Sequence, residues 1–210
     1  MKFEKKIYKL IIKSLPKRKY HPLSEPEINQ TDKKYVFDCL NTGWVSSSGI
    51  YLDRFKRKLE NIVKKKNIIP VINGTSALHL ALIASGIRKN DEVIVPDLSY
   101  VSAANAVSYI GAVPNFVDIN ETNYSICPIK FENYLNRISK KKEGYLFNTK
   151  TKRFIKGVIL VHVFGYPGEV IKIKKICKKY KLKIIEDASE CLGSYYQKKH
   201  LGTFGDFGVL

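Results

Sequence analysis

Three groups of residues in this 210-residue chain are of types and spacings that could do chemistry. Asn73-Gly74-Thr75-Ser76 follows an apolar run, Ile68–Ile72, and precedes Ala77, Leu78, Leu80, Ala81 and Leu82, all good helix formers. A helix start has unpaired N–H groups and the positive end of the helix dipole, so this turn reads as an anion site with two added hydroxyls. The plainer alternative is an ordinary capped strand–turn–helix, since Ser and Thr are good N-caps. Tyr100 follows a second apolar run, Glu92–Pro96, and offers a flat ring. Asp187 ends a third, Lys183–Glu186, and offers a carboxylate, with Glu190 three residues on. Asp187 read plainly is a helix N-cap.

The elements that must position these groups alternate. Strands are expected at Ile68–Ile72, Glu92–Pro96, Val113–Val117, Lys156–Val163 and Lys183–Glu186. Helices are expected between them at 75–86, 101–110, 128–140 and 168–180. Short apolar runs alternating with helices imply crossover connections and a mostly parallel sheet covered on both faces, an α/β fold with three layers. Ligands of such sheets gather beyond the carboxyl ends of the strands, where Gly74–Ser76, Tyr100, His162 and Asp187 all fall. Lys141–Arg153 interrupts the order and reads as a hairpin or a surface insertion. Ahead of the alternation, Phe3, Ile7, Leu10, Ile11, Ile12 and Leu15 line one face of a short basic amphipathic helix. Its possible uses are a membrane surface, a partner or, as expected here, docking on its own protein. His21–Ile28 reads as extended, Thr31–Asn41 as a helix capped by Thr31, and about Leu52–Lys66 as a further basic amphipathic helix.

The formal charge of +18 points first to nucleic acid. The basic residues are nearly all Lys, however, with Arg only at 18, 54, 57, 88, 137 and 153, and the Lys are spread along helix faces. Nucleic-acid readers concentrate Arg and aromatics, so no nucleic-acid partner is expected. Cys39, Cys127, Cys177 and Cys191 lack CxxC pairing or metal-ligand spacing and read as reduced core thiols of a cytoplasmic protein. No run reaches the length of a membrane span, and Glu4 and the Lys residues interrupt any signal-peptide core. No metal site is expected. GTFGDFG has the wrong spacing and context for a nicotinamide fingerprint, and no GxSxG, GxxxxGK[ST] or HExxH occurs.

Anion cradle, flat ring and carboxylate together suit pyridoxal 5'-phosphate, whose ring nitrogen must stay protonated to withdraw electrons. The stretches NGTSALHLAL, VPDLSYVSAANAVSYIGAVPNFVDI, VHVFGYPGEV and IIEDASECLGSYYQKKHLGTFGDFG, in this order, resemble the pyridoxal-phosphate-dependent aminotransferases that act on nucleotide-linked keto-sugars. The resemblance runs from about His21 to the end, and TGWVSSSGIYLDRF is similar to the branch acting on UDP-linked 4-keto-6-deoxy-N-acetylhexosamines. It implies the aspartate-aminotransferase fold (fold type I), with 1–20 as an N-terminal extension. Residues 21–210 would form the N-terminal part of the large domain, cut before that domain ends and without the small C-terminal domain.

The resemblance further implies that Gly74, Thr75 and Ser76 hold the cofactor phosphate, Tyr100 stacks on the ring, and Asp187 pairs with the ring nitrogen. Glu190 stands where a Gln commonly bonds the ring's phenolic oxygen. Trp44, Ser46, Ser48 and His162 would lie near the substrate, although Trp44 reads equally well as a core anchor, and His79 reads as a packed core histidine. The Schiff-base Lys of the family would come shortly after GDFGVL and matches no Lys of this chain. The implied reaction carries an amino group from glutamate to the C4 carbonyl of a sugar nucleotide, in a homodimer. Two other readings stay open: a non-catalytic fragment or interaction protein lacking that Lys, and a nucleic-acid binder.

Overall fold

The computed structural model describes residues 2–22 and 25–210; Met1 and, within the extended lead-in, Leu23 and Ser24 lie outside the described residues. The chain divides into two units, 1–49 and 50–210. The first holds helix α1 (Lys2–Ser14), ended ahead of Pro16, and helix α2 (Gln30–Thr42). The cap of α2 is Asn29 rather than Thr31. Its side chain accepts from the Thr31 and Asp32 amides while Asp32 accepts from the Asn29 amide, a reciprocal capping box. Gly43, at φ 73°, closes the helix in the left-handed conformation. None of the described residues of this unit is buried.

The second unit carries the sheet. After α3 (Ile50–Val63) come α4 (Gly74–Ala84), β1 (Glu92–Pro96), α5 (Ser102–Tyr109), β2 (Val113–Val117) and α6 (Pro128–Ile138). A hairpin, β3 (Ser139–Lys142) and β4 (Tyr145–Asn148), leads into β5 (Phe154–Val161), α7 (Val170–Tyr180) and β6 (Lys183–Asp187). A small two-stranded ribbon, β7 (Tyr195–Tyr196) with β8 (Lys199–His200), precedes β9 (Phe207–Val209). The strands β2, β1, β5, β6 and β9 lie side by side and parallel. Alternate residues along them feed opposite faces. Ile94, Val158, Leu160 and Ile184 join α6 and α7 in one core, and Val93, Val95, Ile159 and Ile185 join α4 and α5 in the other. This is the expected three-layer α/β arrangement.

The Lys141–Arg153 interruption is a hairpin. Its turn residues Glu143 and Gly144 are both left-handed, at φ 54° and 78°, the geometry that matches a two-residue turn to strand twist. β4 then pairs antiparallel with the first residues of β5. The hairpin is fastened by Glu92, a buried carboxylate at the amino end of β1. Glu92 accepts from the side-chain amides of Asn115 (2.8 Å) and Asn148 (2.9 Å) and from the Thr151 hydroxyl.

Ile68–Ile72 corrects one expectation. No strand forms there among the described residues. Ile69, Val71 and Ile72 are exposed, and the segment lies across a groove of about 400 Å³ from β9. An apolar run becomes a strand only with a neighbour to pair with, and Pro70 contributes no N–H. Among the described residues no helix is long and apolar enough to cross a membrane.

Candidate active site

Beyond the carboxyl ends of β1, β5 and β6 lies a cavity of about 830 Å³. Gly74, Thr75, Tyr100, His162, Asp187 and Glu190 all line it, so six of the ten residues singled out from the sequence meet in one place. Ser76 sits next along α4. Trp44, Ser46 and Ser48 belong to the other unit, where Trp44 is half exposed and lies against the Gly49 backbone, and the Ser46 and Ser48 hydroxyls are 3.5 Å apart.

The cap of α4 is Asn73. Its carboxamide oxygen accepts from the Ser76 amide at 2.8 Å and its carbonyl from the Ala77 amide at 3.1 Å. Asn73 thus caps the helix, and the Thr75 and Ser76 hydroxyls are not needed for that purpose. The amides of Gly74 and Thr75 have no acceptor within the helix, and the first turn carries no acidic residue to offset the dipole. Ser76, its amide committed to Asn73, can offer only its hydroxyl. Gly74 is where two loops close: a Cβ there would stand 3.0 Å from the Ser189 hydroxyl.

Asp187 is the last residue of β6 and 8% exposed. One oxygen accepts from the Ser189 hydroxyl at 2.6 Å and, more weakly, from the Ser189 amide at 3.3 Å. A turn follows rather than a helix, so Asp187 is no helix cap. The carboxylate is held in place on one side and faces the cavity on the other. Ser189 went unnoticed in the sequence; its signal is the two-residue spacing of an Asx turn. Behind Asp187, Cys191 is buried. Burial, and then the carboxylates of Asp187, Glu186 and Glu190, push its thiol up to about 12, so it stays protonated and is no nucleophile.

His162 sits at the cavity with its ring turned into the protein. It lines the cavity but is 1% exposed, and both ring nitrogens are committed inside the protein. Nδ1 accepts from the Gly168 amide at 3.4 Å, which puts the proton on Nε2, donated to Glu186 at 3.0 Å. Glu186, fully buried, also accepts from the amides of Gly202 (2.9 Å), Phe204 and Gly205. The pair ties the cavity floor to the 202–205 turn. Glu186 was also missed, although a carboxylate inside the buried part of a strand, next to Ile184 and Ile185, is a signal.

Glu190 anchors a loop. Its carboxylate accepts from the Phe164 amide at 2.7 Å, while Phe164 is left-handed at φ 53°. Gly165 follows at φ 74°, and a Cβ there would meet the Glu190 carbonyl at 2.7 Å. The turn thus requires glycine. Tyr100 is 78% exposed at the rim, with Phe164 76% exposed, leaving aromatic faces available to a flat ligand. His79 stacks edge-on against Tyr109, 5.8 Å between ring centres, but is only half-buried and belongs to neither core. Among the described residues no lysine lines the cavity. Lys199, whose ammonium is held below its ordinary range by burial and by Lys174 and Lys65, stands over the Phe204 ring instead.

The three-layer sheet with its ligand edge defines the class: fold type I of the pyridoxal-phosphate-dependent aminotransferases. A solved aminotransferase from Psychrobacter cryohalolentis superposes with TM-score 0.74 and 28% identity over 88% of this chain and 43% of that one. Residues 26–210 match the DegT/DnrJ/EryC1/StrS aminotransferase family, and the chain belongs to it. GDP-perosamine synthase of Escherichia coli O157:H7 is 37% identical over 191 residues, 91% of this chain and 48% of that protein. GDP-perosamine synthase of Vibrio cholerae is 36% identical over 88% of this chain and 46% of its own length. The chain spans about half the length of the curated relatives it matches.

Proposed function

We propose that residues 21–210 form the N-terminal part of the large domain of an aminotransferase that transfers an amino group, with glutamate as donor, to the 4-keto group of a nucleotide-linked deoxysugar. The observation that carries this reading is the convergence in one cavity of an uncapped-hydroxyl helix start, an exposed aromatic ring and a buried carboxylate. Those donor types match the three parts of pyridoxal 5'-phosphate. When bound, that cofactor supplies the carrier for the amino group and the electron sink beside the reacting carbon.

The chain's own residues bind and orient. The Gly74 and Thr75 amides and the Thr75 and Ser76 hydroxyls bind the phosphate at the positive end of α4. Asp187 holds a proton on the ring nitrogen, and Ser189 holds Asp187. Tyr100 covers the ring face and excludes water. Glu190 acts through the Phe164 turn rather than on the ring, because a second anion beside the phenolic oxygen would be repulsive. Trp44, Ser46 and Ser48 are proposed as sugar-nucleotide contacts, and a homodimer as the working assembly.

The names of the relatives favour a GDP-linked sugar over the UDP-linked one that the Trp44 segment suggested. Assays with glutamate and each 4-keto-6-deoxy sugar nucleotide, followed by mass spectrometry of the aminated product, decide between them. Failure of pyridoxal phosphate to bind, by absorbance titration, would refute the site itself. One observation favours a second reading, that residues 21–210 seat the cofactor without a covalent link to a lysine of their own: among the described residues no lysine lines the cavity. Borohydride reduction and peptide mapping should then find no adduct at a unique lysine; a stoichiometric one overturns it.

A further inference from the structure

The family match begins at residue 26, so nothing in the aminotransferase reading accounts for α1. Its geometry is sharply two-sided. At about 100° per residue, Leu10, Phe3, Ile7 and Ile11 fall within about 100° of arc, and Lys5, Lys9, Lys13 and Lys6 within a similar arc on the opposite side. Ile12 and Tyr8 lie on the flank between them, and Glu4 stands at the border of the apolar arc. Phe3, Ile7, Leu10 and Ile11 are 75%, 41%, 59% and 51% exposed. Seven Lys and one Arg stand in residues 2–20 against a single acidic residue, Glu4; Lys17, Arg18 and Lys19 continue the basic run past Pro16, with Arg18 paired to Glu25.

From this we infer that α1 is an interfacial anchor that lays the chain on an anionic lipid surface. A nucleic acid would engage the lysine row and leave four large apolar side chains in water. An apolar groove on a protein would engage the other face and leave the lysines unused. A bilayer bearing anionic headgroups takes both faces at once: the apolar arc sinks to the acyl boundary while lysines at the edges of the basic arc reach up to phosphates. The low overall hydrophobicity of the segment and its short length suit lying in the interface, not spanning. Anchoring by one such helix is reversible and salt-sensitive.

The test is co-sedimentation of the full chain with vesicles of phosphatidylcholine alone or mixed with phosphatidylglycerol. Binding is expected only to the mixed vesicles, weakening as salt rises. Ile7→Asp with Ile11→Asp should lower it about tenfold or more, as should Lys5, Lys6, Lys9 and Lys13→Gln together, while Ile7→Leu with Ile11→Leu retains it. Thermal melting of each variant checks that the 50–210 unit is unchanged, since no substituted residue lies in it. Equal binding by the Asp variant would assign the effect to the Lys-rich remainder and overturn the anchor. So would indifference to phosphatidylglycerol, or light scattering showing that the Asp substitutions disperse an oligomer without changing lipid binding.

Discussion

Two carboxylates at opposite ends of the same sheet show how similar chemistry is put to different use. Glu92, at the amino end of β1, is buried and bonded from three directions by Asn115, Asn148 and Thr151. Asp187, at the carboxyl end of β6, is nearly as buried but bonded only by Ser189 and open to the cavity. Saturation by neutral donors makes Glu92 a fastener for the hairpin. Incomplete saturation makes Asp187 available to a cation or an acidic N–H. Glu186, next to Asp187 in sequence, points to the other face of the strand and is saturated like Glu92.

The largest effect should come from Glu186→Ala, which orphans three backbone amides and the His162 ring nitrogen at once. A loss of roughly 3–5 kcal/mol in urea unfolding is expected, enough to leave little folded protein. A loss below about 1 kcal/mol would mean that the 202–205 turn does not depend on Glu186. Glu92→Ala should cost roughly 2–3 kcal/mol, since it orphans three side-chain donors and no backbone amide. Pyridoxal phosphate affinity per folded molecule should not change, because Glu92 sits at the far end of the strands. An affinity loss there would break the distinction between the two ends.

Asp187→Asn should invert that pattern. Ser189 can still donate to the amide oxygen, so stability should shift by no more than about 1 kcal/mol. The affinity for pyridoxal phosphate should fall by about tenfold to a hundredfold, the worth of one hydrogen bond to a charged group. Absorbance titration of the folded variant measures this. Parent-like affinity would leave Asp187 as a turn-former and nothing more.

The same contrast explains what could be read in advance. β1 and β2 fall where their apolar runs place them, and β1, buried at every residue, shows how a strand covered on both faces is written locally as a short hydrophobic stretch. The cofactor-type residues Gly74, Thr75, Tyr100 and Asp187 could be placed on one sheet edge, because strand order in alternating folds constrains which loops meet. Ile68–Ile72 misled because pairing is a property of two segments, and only one is visible in its composition. The His162–Glu186 pair escaped for the same reason, since it joins residues 24 apart across two strands. Asn73 as the cap and Ser189 beside Asp187 are local contacts, three and two residues apart, and their residue types do carry a signal.

A fourth carboxylate marks the lower limit of the comparison. Asp118 is exposed and accepts from the Lys130 ammonium at 2.5 Å and the Ile119 amide at 2.8 Å. The hydrogen bond from Lys130, then the Ile119 amide, hold its carboxyl below the ordinary 3.8. The same bond holds the Lys130 ammonium above its ordinary 10.5. A carboxyl lowered on folding stabilises above its unfolded value and loses that contribution as pH falls through the folded one. A raised ammonium stabilises below its unfolded value and loses that contribution as pH rises further. The pair should therefore act on a plateau between about pH 4 and pH 10 and fade at both ends. Since both groups are solvated, the melting temperature of Asp118→Asn should differ only slightly from the parent at neutral pH. That gap should close below pH 3.8 and shrink with added salt. A gap that persists at low pH would mean that the substitution acts through the Ile119 amide and the local turn instead of through charge.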